Sequence, residues 1–220
     1  MSILKANLTF EQSYSELRQA LNTALNDLTE MKADDFLPEP AHWKQILKMP
    51  EKQRKHWLKA LYKEIKLLIV TMKCFKKDTA HENEPIIPVT AKFCTKIKSD
   101  GTIEKLKARV CLRGDKQAEL TDFDTWCPIG TFRDLKMFLT FAAFYKCKVH
   151  QLDFIGAFLQ ATAKNRTFTT LPTEWKELFP DLQEWFGIPL LLLKSIYGST
   201  DSAQNWDDTL ADFLVNDFGF

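Results

Sequence analysis

In "LTFEQSYSELRQALNTALNDLTEM" the apolar positions Tyr14, Leu17, Leu21, Leu25, Leu28 and Met31 return every three or four residues, which predicts an amphipathic helix. Thr9 with Gln12 gives that helix a capping-box pattern, and the prolines of "DDFLPEP" end it in a linker. A second helical region, "AHWKQILKMPEKQRKHWLKALYKEIKLLI", is interrupted near Pro50. Its stripe of Trp57, Leu61, Ile65 and Leu68 predicts a core face, while Lys55, Lys59, Lys63 and Lys66 fall largely outside that stripe.

From Pro85 the period changes to that of extended chain. Asp100-Gly101 in "AKFCTKIKSDGTIEKLKARVCLRGDKQ" is a hairpin turn signal flanked by alternating sequence. Folding about a two-residue turn sets Phe93 opposite Ala108, Thr95 opposite Leu106 and Ile97 opposite Glu104. The other face then carries Lys96, Lys98, Lys105, Lys107, Arg109 and Arg113, with Lys96 facing Lys105. Like charges across a ladder repel, and a triphosphate or a nucleic-acid backbone would relieve that repulsion. Solvated lysines on an edge hairpin are the plainer reading.

Further on, "TFRDLKMFLTFAAFYK" reads as an apolar helix with Leu135, Phe138, Leu139, Ala142 and Ala143 in the core. Val149 to Asp153 reads as a strand, with a turn into helix from Gly156. One carboxylate, Asp153, therefore sits inside the otherwise apolar "HQLDFIGAFLQ". A carboxylate held away from water needs a partner, and a salt bridge, a helix cap and a divalent cation all qualify. "LLLLKSIYGSTDSAQNWDDTLADFL" reads as a strand ending near Tyr197-Gly198, then a helix with Trp206, Leu210 and Leu214 on one side.

Composition sharpens this outline. With 220 residues and 45% hydrophobic content the chain can bury a core. The five cysteines form no C-x-x-C pair, which favours reduced thiols over a disulfide framework or a zinc site. No apolar run has membrane-spanning length and no signal peptide is evident, so the expectation is an intracellular protein with no membrane partner.

The net charge of +1 hides an asymmetry. Lys/Arg against Asp/Glu run 3 to 7 over 1–43, 19 to 8 over 44–116 and 8 to 14 over 117–220. A basic middle between acidic flanks suits a polyanion-binding surface. Hydrolase signatures such as G-x-S-x-G and H-E-x-x-H are absent, and "RGD" at 113–115 reads as coincidence.

The order of "EPAHWKQILKMP" with Trp57, Ala60 and Glu64, then "KIKSDGTIEKLKARVCLRG", "FDTWCPIGTFRDLKMFLTFAAF", "HQLDFIGAFLQ" and "LLKSIYGSTDSAQNW" resembles the reverse transcriptase of copia-type retrotransposons. The resemblance implies an α+β fold, the fingers and partial palm of a right-hand polymerase, with an N-terminal helical extension. By the same token 1–38 is the extension and 39–220 the reverse transcriptase domain, fingers-like over 39–147 and palm over 148–220.

It also supplies roles. Asp153 is implied as the first catalytic carboxylate and a ligand, with the Phe154 carbonyl, of a two-metal Mg²⁺ site. Lys96, Lys98, Lys107 and Arg109 are implied as nucleotide-phosphate contacts, Arg109 foremost because its planar fork grips phosphate. Phe158 would lie against the sugar and disfavour a 2′-hydroxyl, and Lys105, Arg113, Tyr197 and Gly198 would touch nucleic acid. The implied partners are an RNA or DNA template-primer, deoxynucleoside triphosphates, and the remaining palm, thumb and ribonuclease H of a polyprotein. The implied setting is cytoplasmic particles, with the nucleus as the alternative.

Two departures stand against the family pattern. Asp201 and Ala203 replace a usual glutamine and proline, so Asp201 reads as a helix cap. The Y-x-D-D dyad is not reached, and Asp207-Asp208 and Asp34-Asp35 do not stand in for it. The expectation is a polymerase module truncated before that motif and inactive alone. The alternative is a non-catalytic nucleic-acid-binding or interaction remnant.

Overall fold

Pro50 divides the second helical region as expected. A single turn, α1 (Trp43–Ile46), precedes it, and α2 (Glu51–Lys66) follows and runs on into a π-helical turn at Leu67–Thr71. The computed structural model describes residues 38–120 and 125–217 with Lys32 and Gly219, so the helix expected before residue 38 lies outside the described residues. The predicted stripe is core: Trp57, Leu61, Ile65 and Leu68 are all buried. Burying side chains of this size stabilises by about 2–3 kcal/mol each.

The remaining elements are β1 (Phe75–Lys77), β2 (Ile86–Ile97), β3 (Ile103–Leu112), α3 (Gly114–Leu120), α4 (Phe132–Phe144) and α5 (Ala157–Gln160). They are followed by β4 (Phe168–Thr170), α6 (Trp175–Leu178), a 3₁₀ turn at Pro180–Trp185, β5 (Leu190–Leu192) and α7 (Ser202–Asn216). The fold is thus mixed α/β around one five-stranded sheet of order β1-β5-β4-β2-β3. β5 pairs antiparallel with β1 and with β4, and β4 pairs parallel with β2, setting Ile86 beside Phe168.

Two compact units divide the chain, one of 1–65 with 91–110 and one of 66–90 with 111–220. In the first, Trp57 meets Phe93 edge-on with ring centroids 5.5 Å apart, fixing β2 on α2. In the second, Phe168, Leu171, Trp175, Phe186 and Leu190 are buried, and Trp175 packs edge-on against both Phe179 and Phe186.

Three expectations fail here. α4 forms, started by a capping box in which Asp134 N–H donates to Thr131 Oγ1 and Thr131 N–H to the Asp134 carboxylate, yet none of its residues is buried. Leu135, Phe138, Leu139 and Ala143 are exposed and Ala142 is half-buried. The stripe marks a face that needs covering, and nothing among the described residues covers it. The strand expected over 149–153 is likewise absent, because an extended segment is a strand only when a neighbour completes its ladder. β5 also ends at Leu192, five residues before Tyr197.

Candidate functional site

In the first unit the candidate surface is the β2–β3 hairpin. Gly101 takes φ +82° and donates its N–H to Lys98 O, while Lys98 N–H donates to Thr102 O at 2.9 Å. Asp100 secures the turn by accepting from both Thr102 N–H and Thr102 Oγ1, and those bonds hold its carboxyl below the ordinary value. Lys98 therefore pairs with Thr102 across a three-residue loop, not across the two-residue turn that the sequence suggested. Further along β3 the inward positions change from Ile103 to Ala108, Val110 and Leu112, from odd to even.

The basic cluster survives the change of register. Lys96, Lys98, Lys105 and Arg109 are exposed and Lys107 is half-buried. Burial lowers the pKa of the Lys107 ammonium, and repulsion from Arg109, Lys96 and Lys105 lowers it further, against the attraction of Glu64. Three like charges thus act on Lys107, as an anion-binding face requires. Glu64, part of the α2 sequence pattern but given no role from it, is the buried acid of this unit among the described residues.

In the second unit the residues that follow the hairpin meet the Tyr197-Gly198 loop. Leu112 N–H donates to Tyr197 O at 2.7 Å. A Cβ on Gly198 would lie 2.3 Å from Leu112 O, and one on Gly114 would lie 2.2 Å from Gly198 O. Only glycine permits this approach. Phe158 packs edge-on against Tyr197 at 6.0 Å, and Phe154 against Trp206 at 5.2 Å. Phe154 also lines a groove of about 210 Å³ with Gln160, Trp206, Thr209, Leu210 and Phe213.

Three residues behave differently from their sequence reading. Arg113 forks onto Asp115, Nε to Oδ1 at 2.8 Å and Nη2 to Oδ2 at 2.5 Å, which lowers the Asp115 carboxyl to about 2. "RGD" is thus an internal Arg–Asp pair at the start of α3, and Arg113 already holds an anion. Asp201 stands at the N-cap of α7 but caps nothing. Its buried carboxylate accepts instead from Ser199 Oγ at 2.6 Å and Asn165 Nδ2 at 2.8 Å. Gln117 braces the same loop by accepting from Thr200 N–H, a tie 83 residues long that no local signal announces.

The third is Asp153. It is exposed, in the irregular segment before Gly156, and makes no hydrogen bond or ion pair with the described residues. The premise of a carboxylate shut among apolar neighbours fails, because Leu152 and Ile155 beside it are also exposed. No group of three or more His, Cys, Asp and Glu among the described residues could hold a metal. One carboxylate and the Phe154 carbonyl do not fit a pair of Mg²⁺ ions, which need shared anionic ligands. Asp208 of the Asp207-Asp208 pair is bound to Lys164, as a solvated helix face would be.

The comparisons with known proteins bear on these surfaces. The family model described as reverse transcriptase (RNA-dependent DNA polymerase) matches residues 76–220, about two thirds of the chain. The chain belongs to that family. It is 28% identical over 173 residues to the Transposon Ty1-BL Gag-Pol polyprotein of Saccharomyces cerevisiae, covering 76% of this chain and 9% of that protein. It is 26% identical over 181 residues to the Retrovirus-related Pol polyprotein from transposon TNT 1-94 of Nicotiana tabacum, covering 76% and 12%. Both relatives are transposon Pol polyproteins, so this reverse transcriptase is of the copia type that the motif order suggested. The chain spans about a tenth of their length. No solved structure matches it. No helix among the described residues is long and apolar enough to cross a membrane.

Proposed function

We propose that this reverse transcriptase chain is the fingers and first part of the palm of a copia-type RNA-directed DNA polymerase, working within a longer polyprotein in cytoplasmic particles. The observation that carries the reading is the one-sided cluster of Lys96, Lys98, Lys105, Lys107 and Arg109 on a well-fixed hairpin in a member of this family. That face takes the phosphates of a template-primer or of a deoxynucleoside triphosphate. Arg109 contributes a bidentate fork and the lysines contribute point charges.

The apolar face of the second unit supports the remainder of the reading. Phe132 (71% exposed), Phe144 (77%), Leu152 (77%) and Ile155 (88%) are large apolar side chains that stand in water among the described residues. In this reading a further part of the same polymerase domain covers that face, pairs with the extended segment before Gly156, and brings the carboxylates that Asp153 lacks.

Two measurements test the proposal. Replacing Lys96, Lys98, Lys105 and Arg109 together by Ala should remove most binding to a labelled single-stranded oligonucleotide. It should also flatten the slope of log K on log salt by about 3 if all four touch phosphate. Equal affinities at low salt would leave the lysines as an ordinary wet edge. The second measurement is primer extension in a chain joined to a complete copia-type palm and thumb. There Phe158→Ala should relax discrimination against ribonucleotides by roughly 10-fold or more, the scale of a lost pocket contact. Unchanged selectivity would return Phe158 to packing on Tyr197 alone.

A further inference from the structure

Glu64 lies on the core side of α2, with Trp57, Leu61 and Ile65, and is 9% exposed. Its carboxylate accepts the N–H of Val110 on β3, and its Oε1 is buried without a hydrogen-bond partner. The charged groups that act on it are Lys107 and Arg109, immediately before Val110 on the same strand. Lys96 and Lys105 act in turn on Lys107. The basic face therefore has an acid beneath it. Burial raises the Glu64 pKa, while the Val110 N–H and the two cations pull it part of the way back. That balance depends on the cations being unneutralised.

We propose that Glu64 is a proton-linked counter-charge to the basic hairpin face: a phosphate backbone that engages Lys107 and Arg109 draws a proton onto the Glu64 carboxylate, and ionised Glu64 weakens that engagement. The inference rests on the reading of the hairpin as a polyanion-binding face. A bound phosphate screens the two cations and adds a negative charge of its own, so the buried carboxylate keeps the Val110 N–H bond but loses the part of its stabilisation that the cations supply. No other group needs to move. The bound form then has the higher Glu64 pKa. Linkage requires affinity to be greatest below the free-state pKa, to fall as pH rises through the window between the two values, and to level off above the bound-state pKa. A modest displacement of this kind is expected to change affinity by roughly threefold.

The test compares the parent chain with Glu64→Gln in anisotropy titrations of a labelled oligothymidylate at constant low salt, between about pH 4.5 and pH 8. The histidines and other surface groups common to both proteins cancel in the ratio of affinities. The Gln variant should bind about threefold more tightly at the alkaline end and equally at the acid end. A ratio that stays constant with pH overturns the proposal. A carbon-detected titration of the Glu64 carboxyl in the parent, free and with oligothymidylate, tests it without any substitution. An upward displacement on binding is expected, and an unmoved or lowered pKa overturns it. If oligothymidylate binds neither protein, the hairpin reading itself has failed and the linkage fails with it. Binding with parallel pH profiles sinks the linkage alone.

Discussion

Asp153→Asn is expected to abolish primer extension, by at least about a thousandfold, in a chain joined to a copia-type segment that carries the Y-x-D-D hairpin. The same substitution should leave the 220-residue chain as stable as before. The first effect would correspond to about 4 kcal/mol of transition-state stabilisation, the scale expected if Asp153 becomes a metal ligand once the joined segment supplies the other carboxylates. The second follows from the surroundings of Asp153. The side chain is exposed and makes no hydrogen bond or ion pair with the described residues, so a neutral isostere changes stability by less than about 0.5 kcal/mol. Removal of an unpaired, partly buried charge would be neutral or stabilising, and exposure leaves the neutral outcome. Primer extension with Mg²⁺ and thermal melts of the isolated pair measure the two arms. Synthesis that persists with Asn would remove Asp153 from the chemistry, and a marked loss of melting temperature would make it a structural acid.

Gly198→Ala is expected to be the most damaging small substitution in the second unit, costing about 3–5 kcal/mol. Three terms add. The residue holds φ +83°, which costs a non-glycine residue about 1 kcal/mol, and its new Cβ would lie 2.3 Å from Leu112 O. Relieving that overlap forces the loop away from Leu112 and weakens the 2.7 Å bond from Leu112 N–H to Tyr197 O. Gly101→Ala isolates the first term, because Gly101 has φ +82° and a methyl group there would meet nothing within 4 Å. It should cost only about 1 kcal/mol. Urea unfolding of the two variants gives the comparison. Equal losses would mean that the Leu112 and Gly198 backbones are not closely packed, and the loop carrying Tyr197 would lose its fixed place beside Phe158.

Several features were legible because their causes are local. A helix repeats every 3.6 residues, so Trp57, Leu61, Ile65 and Leu68 announced a buried face whatever they pack against. Pro50 broke the helix because it lacks an N–H, and Asp100-Gly101 turned the chain because Gly101 accepts a positive φ. The family was legible for a related reason: five short motifs in order carry more information than any one of them. The basic cluster was legible too, since alternation along a strand sorts side chains to faces even where the register slips.

What escaped the sequence depends on partners far along the chain. The loop at Ser99–Gly101 sets which residues of the hairpin face one another, and a single residue of slip reassigns every cross-strand pair. Asp201 had the position of a helix cap, but Asn165, 36 residues earlier, offered its carboxylate a better bond inside the fold. Arg113 looked like a free cation until Asp115 closed on it. Glu64 carried no signal of burial beneath cations, because its partner strand begins 39 residues later. Local pattern was enough for α2, α4 and α7, for the hairpin, the family and the apolar face of α4. Only the tertiary structure decided which strands exist, which charges are already paired, and that this apolar face stands uncovered among the described residues. Periodicity states that a surface must be buried, whereas burial itself needs a second surface.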